Sequence, residues 1–111
     1  MPTIECIRPR WPVPPHVQAC TTTRGGGYSR GRWAGLNLAD HVDDDPDVVR
    51  RNRALLAAEL GLPGQPMWLS QVHGTDIRRP GRSPACADAC VESRVGRVCV
   101  VLTADCLPVL F

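Results

Sequence analysis

The sequence predicts a mixed α/β or α+β domain, from one well-delimited helix, one apolar run of strand character near the C-terminal end, and a β-branched segment near the start. Asp45 suits a helix N-cap, Pro46 the first helical position, and Asp43, Asp44 and Asp47 the positive end of the helix dipole. Val48, Val49, Leu55, Leu56 and Leu60 then form an apolar stripe, with Arg50, Arg51 and Arg53 placed toward solvent, and Gly61 and Pro63 end the helix. Val98–Leu102 is nearly all apolar and predicts a strand buried on both faces.

The remaining elements follow in chain order. The segment through Pro15 carries five prolines, so it should be extended, with a short edge strand at Ile4–Ile7 at most. Val17–Thr23 reads as a strand running into the turn Arg24-Gly25-Gly26-Gly27. Tyr28–Asp44 has little periodicity and predicts a long loop, of the kind that is either functional or mobile. After the helix, Met67–Val72 reads as a strand, and Pro80-Gly81 as a turn. Strand, loop, helix and three more strands make a mixed domain. The chain ends at Leu107-Pro108-Val109-Leu110-Phe111, an apolar stretch that reads as a strand cut through its middle.

Composition bounds the function. A chain of 111 residues is long enough for one domain and buries roughly 60–70% of its unfolded surface. With 43% hydrophobic and 22% charged residues, a folded globular chain is expected. A net charge of +2 gives no argument for nucleic acid or membrane binding; all 13 basic residues are Arg, which a coding bias explains as well as a function does. No basic run precedes an apolar stretch at the N-terminus, and Thr103, Asp105 and Pro108 interrupt the C-terminal apolar run. A cytoplasmic protein with six reduced cysteines, most of them small core residues, is therefore expected.

Two segments hold the candidate chemistry: Leu69-Ser70-Gln71-Val72-His73-Gly74 and Thr103-Ala104-Asp105-Cys106-Leu107-Pro108. Each sets a metal-binding side chain at the end of an apolar strand, where a rigid scaffold can hold it. A neutral imidazole and a thiolate both suit zinc. Read alone, however, a His beside a Gly equally fits a structural role and a Cys a core filler, and zinc sites need at least three protein ligands. Cys86 and Cys90, four apart, have no third donor nearby in sequence and read as coincidence.

These segments resemble the paired hallmarks of the YfiH-type laccase-domain family, whose patterns run close to Gln-Val-His-Gly and Thr-Ala-Asp-Cys-x-Pro-Val. Three further blocks agree in the same order: Cys20-Thr21-Thr22-Thr23-Arg24-Gly25-Gly26; Gly35-Leu36-Asn37-Leu38 leading to His41-Val42 and Asp44-Asp45-Pro46; and Ala87-Asp88-Ala89. Together they cover nearly the whole chain. The resemblance implies a mixed-sheet YfiH-like fold, incomplete at the C-terminus, with residues 1–111 as the N-terminal portion of a single domain.

It also implies one zinc held by His, Cys and a second His, with His73 and Cys106 as the first two ligands. The third would come from a His-Ala-Gly-Trp segment that this sequence does not contain, and neither His16 nor His41 matches a ligand motif. The implied activity is purine nucleoside phosphorolysis with adenosine deamination beside it, so the implied partners are a purine nucleoside and phosphate. On that reading Arg24 holds an anion, or else is a solvent-facing loop arginine. Asn37 bonds a ribose hydroxyl, or else closes an Asx turn. Asp88 and Asp105 orient ligands or loops, with Asp105 also suited to capping backbone amides at the strand end. Gln71 points to the face opposite Val72, toward substrate or away from it. Arg24 and Asp105 are thus candidate catalytic residues, and Asn37, Gln71 and Asp88 candidate substrate-binding residues.

The family also carries labels for copper-dependent polyphenol oxidation and for editing cell-wall peptide precursors. Multicopper oxidation needs several His-rich motifs, and three histidines do not supply them. The alternative from another class is a catalytically inactive truncated fragment that folds poorly, or a partner-binding domain without catalysis; unpaired edges of the C-terminal strand would promote self-association.

Overall fold

A computed structural model describes residues 3–81 and 86–111. The chain divides into two compact units, Met1–Leu60 and Gly61–Phe111. Among the described residues, one α-helix and three two-stranded ladders make it α+β.

In the first unit, β1 (Cys6–Ile7) pairs antiparallel with β2 (Thr21–Thr22), Cys6 opposite Thr22 and Ile7 opposite Thr21. The Thr23 amide extends the ladder with a 3.1 Å bond to the Glu5 carbonyl. The expected strand over Val17–Thr23 is cut to its end because β1 runs into Pro9, which has no N–H to continue the ladder. The glycine turn then packs backbone on backbone. Gly27 has φ 77, and a Cβ there would lie 2.6 Å from the Leu36 Cα, so a larger residue would push the 24–36 loop apart.

Helix α1 spans Pro46–Leu60, with Asp45 as its cap: the Asp47 amide donates to Asp45 Oδ1 at 2.9 Å. It stops at Gly61, whose φ of 58 is the left-handed geometry of a helix C-terminus. Val49 and Leu56 are buried on its inner face, with Leu36 and Leu38 of the preceding loop. Arg50 and Arg51 are exposed as expected. Arg53 is not: it is half-buried, and its Nε donates to the Leu38 carbonyl at 2.9 Å.

Asn52 shares the inner face with Val49 and Leu56, by the three- and four-residue spacing of a helix. It is fully buried. Its Oδ1 accepts the Tyr28 amide at 2.7 Å, while Nδ2 donates to Ser29 Oγ at 2.9 Å and to the Asn37 carbonyl at 2.8 Å. One side chain thereby fastens both ends of the 28–37 loop, which contains a single 3₁₀ turn at Gly31–Trp33.

The second unit holds two parallel pairs. β3 (Pro66–Met67) pairs with β6 (Val98–Cys99), and β4 (Ile77–Arg78) with β5 (Ala89–Cys90). A lone bridge joins Ser70 to Cys86. The expected strand Met67–Val72 is thus paired at Met67 and again only at the Ser70 bridge, and Val98–Leu102 only at its first two residues. Burial on both faces is also corrected: Cys99 and Val101 are exposed, while Val98, Val100 and Leu102 are half-buried. Alternate residues of β6 are half-buried, the pattern of a strand with one covered face. The cysteines depart from expectation as well. Cys86, Cys99 and Cys106 are exposed, Cys6, Cys20 and Cys90 half-buried, and all are free.

Replacing Asn52 by Leu should lower unfolding stability by about 2–3 kcal/mol, read from urea denaturation, because three polar partners lose their bonds in a buried place. Asp44 gives a pH-dependent counterpart. Its carboxyl is held below the ordinary value of 3.8, first by the Ser29 hydroxyl and then by the Asn37 amide. The folded value being depressed, this stabilisation is fully present above 3.8 and is lost as pH falls through the lower folded value. Urea midpoints measured from pH 6 downward should fall less steeply for Asp44→Asn than for the native chain.

Candidate functional site

His73 sits on a turn that one carboxylate organises. Asp88 Oδ1 accepts the amides of Val72 at 3.0 Å and His73 at 2.8 Å, and Oδ2 accepts the Gly74 amide at 2.7 Å. Charge-assisted bonds of this kind are about twice as strong as neutral ones. They offset the cost of His73 at φ 56, where residues with a Cβ are seldom found. The amides, Gly74's foremost, also hold the Asp88 carboxyl below its ordinary value, with partial burial pushing the other way. Asp88 is itself pinned: its amide donates to the Asp76 carbonyl at 3.2 Å, and that of the buried Ala87 to Ser70 at 3.1 Å. The imidazole of His73 is exposed on this fixed backbone.

Both Asp88 oxygens accept backbone amides, so the side chain organises the His73 turn. Gln71 is exposed and borders a cavity of ≈ 10 Å³ with Leu69, Ala87, Asp88, Val101 and Leu102, room for about one water. Ala104, Asp105 and Cys106 form a bend, and Asp105 and Cys106 are exposed. Asp105 makes no hydrogen bond with another described residue, so it does not cap the strand-end amides. Among the described residues, no three His, Cys, Asp or Glu side chains gather into a metal-holding group. The imidazole and thiolate suit zinc in kind; in number they fall one short of the three protein ligands of a catalytic site.

The first unit holds the other two candidates. Arg24 is exposed, and its Nε donates to the Ala34 carbonyl at 2.8 Å, which fixes the guanidinium over the loop and leaves the terminal nitrogens without a partner among the described residues. Asn37 closes an Asx turn: Oδ1 accepts the Ala39 amide at 3.1 Å, and Nδ2 donates to Asp44 Oδ2 at 3.1 Å. Its side chain is used within the loop, which leaves the ribose contact without support. An open cavity of ≈ 440 Å³, which sequence reasoning missed, is lined in part by Tyr28, Trp33, Asp44 and Arg51. The Arg51 guanidinium lies 4.0 Å from the Tyr28 ring centroid. Aromatic residues in a long loop were the available signal.

The family model for multi-copper polyphenol oxidoreductase laccase matches residues 18–111. The chain belongs to this laccase-domain family. Among family relatives, it is 48% identical over 110 residues to the purine nucleoside phosphorylase YfiH of Escherichia coli, covering 96% of this chain and 45% of that protein. It is 44% identical over 111 residues to the purine nucleoside phosphorylase of Haemophilus influenzae, covering 97% and 45%. A crystal structure of a Neisseria meningitidis protein, 40% identical, superposes with a TM-score of 0.79 over 91% of this chain and 42% of that one. The chain spans less than half the length of the curated relatives it matches.

Asp88→Asn should keep the fold and loosen the turn, because an amide offers one acceptor oxygen for the bonds that two now take. Hydrogen exchange should quicken several-fold at the amides of Val72, His73 and Gly74 and stay unchanged along α1. Unchanged exchange at the turn would mean that Asp88 does not hold it.

Proposed function

We propose that this chain is part of a zinc-dependent purine nucleoside phosphorylase acting on adenosine or inosine, with adenosine deamination as a second reaction. Relatives at 44–48% identity that bear the phosphorylase name support the reaction class. The observation that carries the site is an exposed His73 held on a turn clamped by Asp88. His73 and Cys106 would hold the ion, with at least one more ligand from outside the described residues. When bound, zinc supplies Lewis acidity for an oxygen at the reacting centre.

The chain's own residues divide the remaining work. Asp88 orients the turn that bears His73. Arg24 offers terminal guanidinium donors whose fork suits a phosphate. Asp105 is an exposed carboxylate with no hydrogen-bond partner among the described residues, available to the reacting groups. Gln71, beside Asp88, is free to bond a nucleoside. Asn37 is left out of this set because its side chain builds the loop. A cytoplasmic location goes with this reading, and no described helix is long and apolar enough to cross a membrane. Self-association belongs to it as well: Leu107 and Phe111 are fully or nearly fully exposed. A monomer that stays monomeric at all concentrations in sedimentation would remove that part.

Zinc content and phosphate-dependent release of hypoxanthine from inosine, measured on the same preparation, test the proposal. The whole protein, with the third ligand present, should carry close to one zinc per chain, and His73→Ala should lose both metal and turnover. Arg24→Gln should keep the zinc and raise the KM for phosphate about tenfold or more. Full zinc retention in His73→Ala would remove His73 from the site. Base release without phosphate would turn the assignment from phosphorolysis to hydrolysis.

A further inference from the structure

We propose that Cys90 and Cys99 form a redox modification site, a dithiol that low-molecular-weight disulfides such as oxidised glutathione convert to an internal disulfide. Neither residue has a part in the proposed phosphorylase site. Cys90 closes β5 and Cys99 closes β6, strands that belong to different ladders. The Cys99 thiol donates to Cys90 Sγ at 2.9 Å, closer than two sulfur atoms rest when they merely touch. An approach of roughly 0.9 Å more would reach the ~2.05 Å of a disulfide.

The intervening chain is arranged to keep the two sulfurs together. Glu92 Oε1 accepts the amides of Ser93 and Arg94 at 3.1 and 3.0 Å, and its carboxylate takes the Arg94 guanidinium on both oxygens at 2.9 Å. Gly96, at φ 81, completes the reversal. The strand ends are fixed in turn by the β3–β6 and β4–β5 ladders. The two thiols are thus brought together before any oxidant arrives, which is what separates a fast dithiol from two independent cysteines. Cys99 is exposed and Cys90 half-buried, so a small disulfide can reach the pair. Cys86 and Cys106 are also exposed but have no sulfur partner among the described residues.

The order of attack follows from the hydrogen bond between the two thiols. The Cys99 S–H donates to Cys90 Sγ and would stabilise negative charge on that sulfur, so Cys90 attacks first, as the thiolate. Its thiolate attacks one sulfur of the oxidant RS–SR, forming Cys90–S–SR and releasing one thiolate, which takes up a proton. Cys99 then gives its proton to solvent and attacks Cys90 Sγ. The Cys90–SR bond breaks and a second RSH leaves. In sum, two protein thiols are oxidised, one RS–SR is reduced to two RSH, and the β3–β6 and β4–β5 ladders become covalently joined.

The test treats the purified protein with oxidised glutathione, blocks remaining thiols with iodoacetamide in acid-quenched denaturant, and digests with trypsin. Every basic residue is Arg, so cleavage places Cys90 in the 83–94 peptide with Cys86, and Cys99 in the 98–111 peptide with Cys106. The expected product is these two peptides joined, lighter by two hydrogens, with fragment ions assigning the bond to Cys90 and Cys99. Cys90→Ser and Cys99→Ser should each abolish it, and Cys86→Ser and Cys106→Ser should leave it in place. A lasting glutathione adduct without the internal bond, a link through Cys86 or Cys106, or full alkylation of both cysteines would each overturn the proposal. The fragment ions of the native protein decide the matter even if a variant fails to fold.

Discussion

Three consecutive backbone amides, those of Val72, His73 and Gly74, converge on the carboxylate of Asp88, and most of what can be said about function depends on that convergence. Amides of adjacent residues point the same way only when the backbone leaves the extended form, which here means His73 at a positive φ. Left alone, such a turn would open, because a histidine has no glycine-like freedom. The carboxylate holds it closed with both oxygens. Two acceptor atoms on a short side chain fit this demand. Asparagine has one acceptor, and glutamate would place its oxygens a bond further away. The turn is therefore a property of Asp88 as much as of its own residues.

The first unit reaches order by the same means with different groups. Its ladder is two residues long, so few backbone groups are satisfied by strand pairing. Asn52 takes over, binding the loop through one acceptor and two donor contacts from the middle of α1. Asp44 adds a second point of attachment by accepting from Ser29 and Asn37. Where strands are short, buried polar side chains become the main fasteners of long loops. They do so only when fully bonded, and among the described residues no buried side-chain polar atom lacks a partner.

That distribution of work explains what the sequence made legible. The helix could be read to its caps because Asp45, Pro46 and Gly61 act on their immediate neighbours. The strands were placed in order but overextended, since strand length depends on a partner's register, and Pro9 limits β2 from a dozen residues away. Asn52 was invisible as an anchor: a polar residue within an apolar stripe reads as an interruption, and its partners lie 15 to 24 residues upstream. The candidate site was read in outline. The motif residues Asp88 and Asn37 were singled out, but only contacts distinguish a carboxylate that meets a ligand from one that builds the turn beneath it. Asp105 shows the converse, since a residue expected to cap amides meets none among the described residues.

The two candidate metal donors differ in how the chain prepares them, and this bears on the proposed zinc site. His73 stands on a backbone already fixed by three hydrogen bonds, so little ordering remains to be done when its imidazole binds. Cys106 lies exposed in a bend next to Asp105, with no hydrogen bond from another described residue to fix its thiol. Ordering that bend would fall to the binding event itself, so part of the binding free energy would be spent there. A donor pair of this kind gives weak binding alone, because one ligand is prepared and the other is not. A third ligand would therefore contribute in two ways, by completing the coordination number and by holding Cys106 in the position that His73 already has.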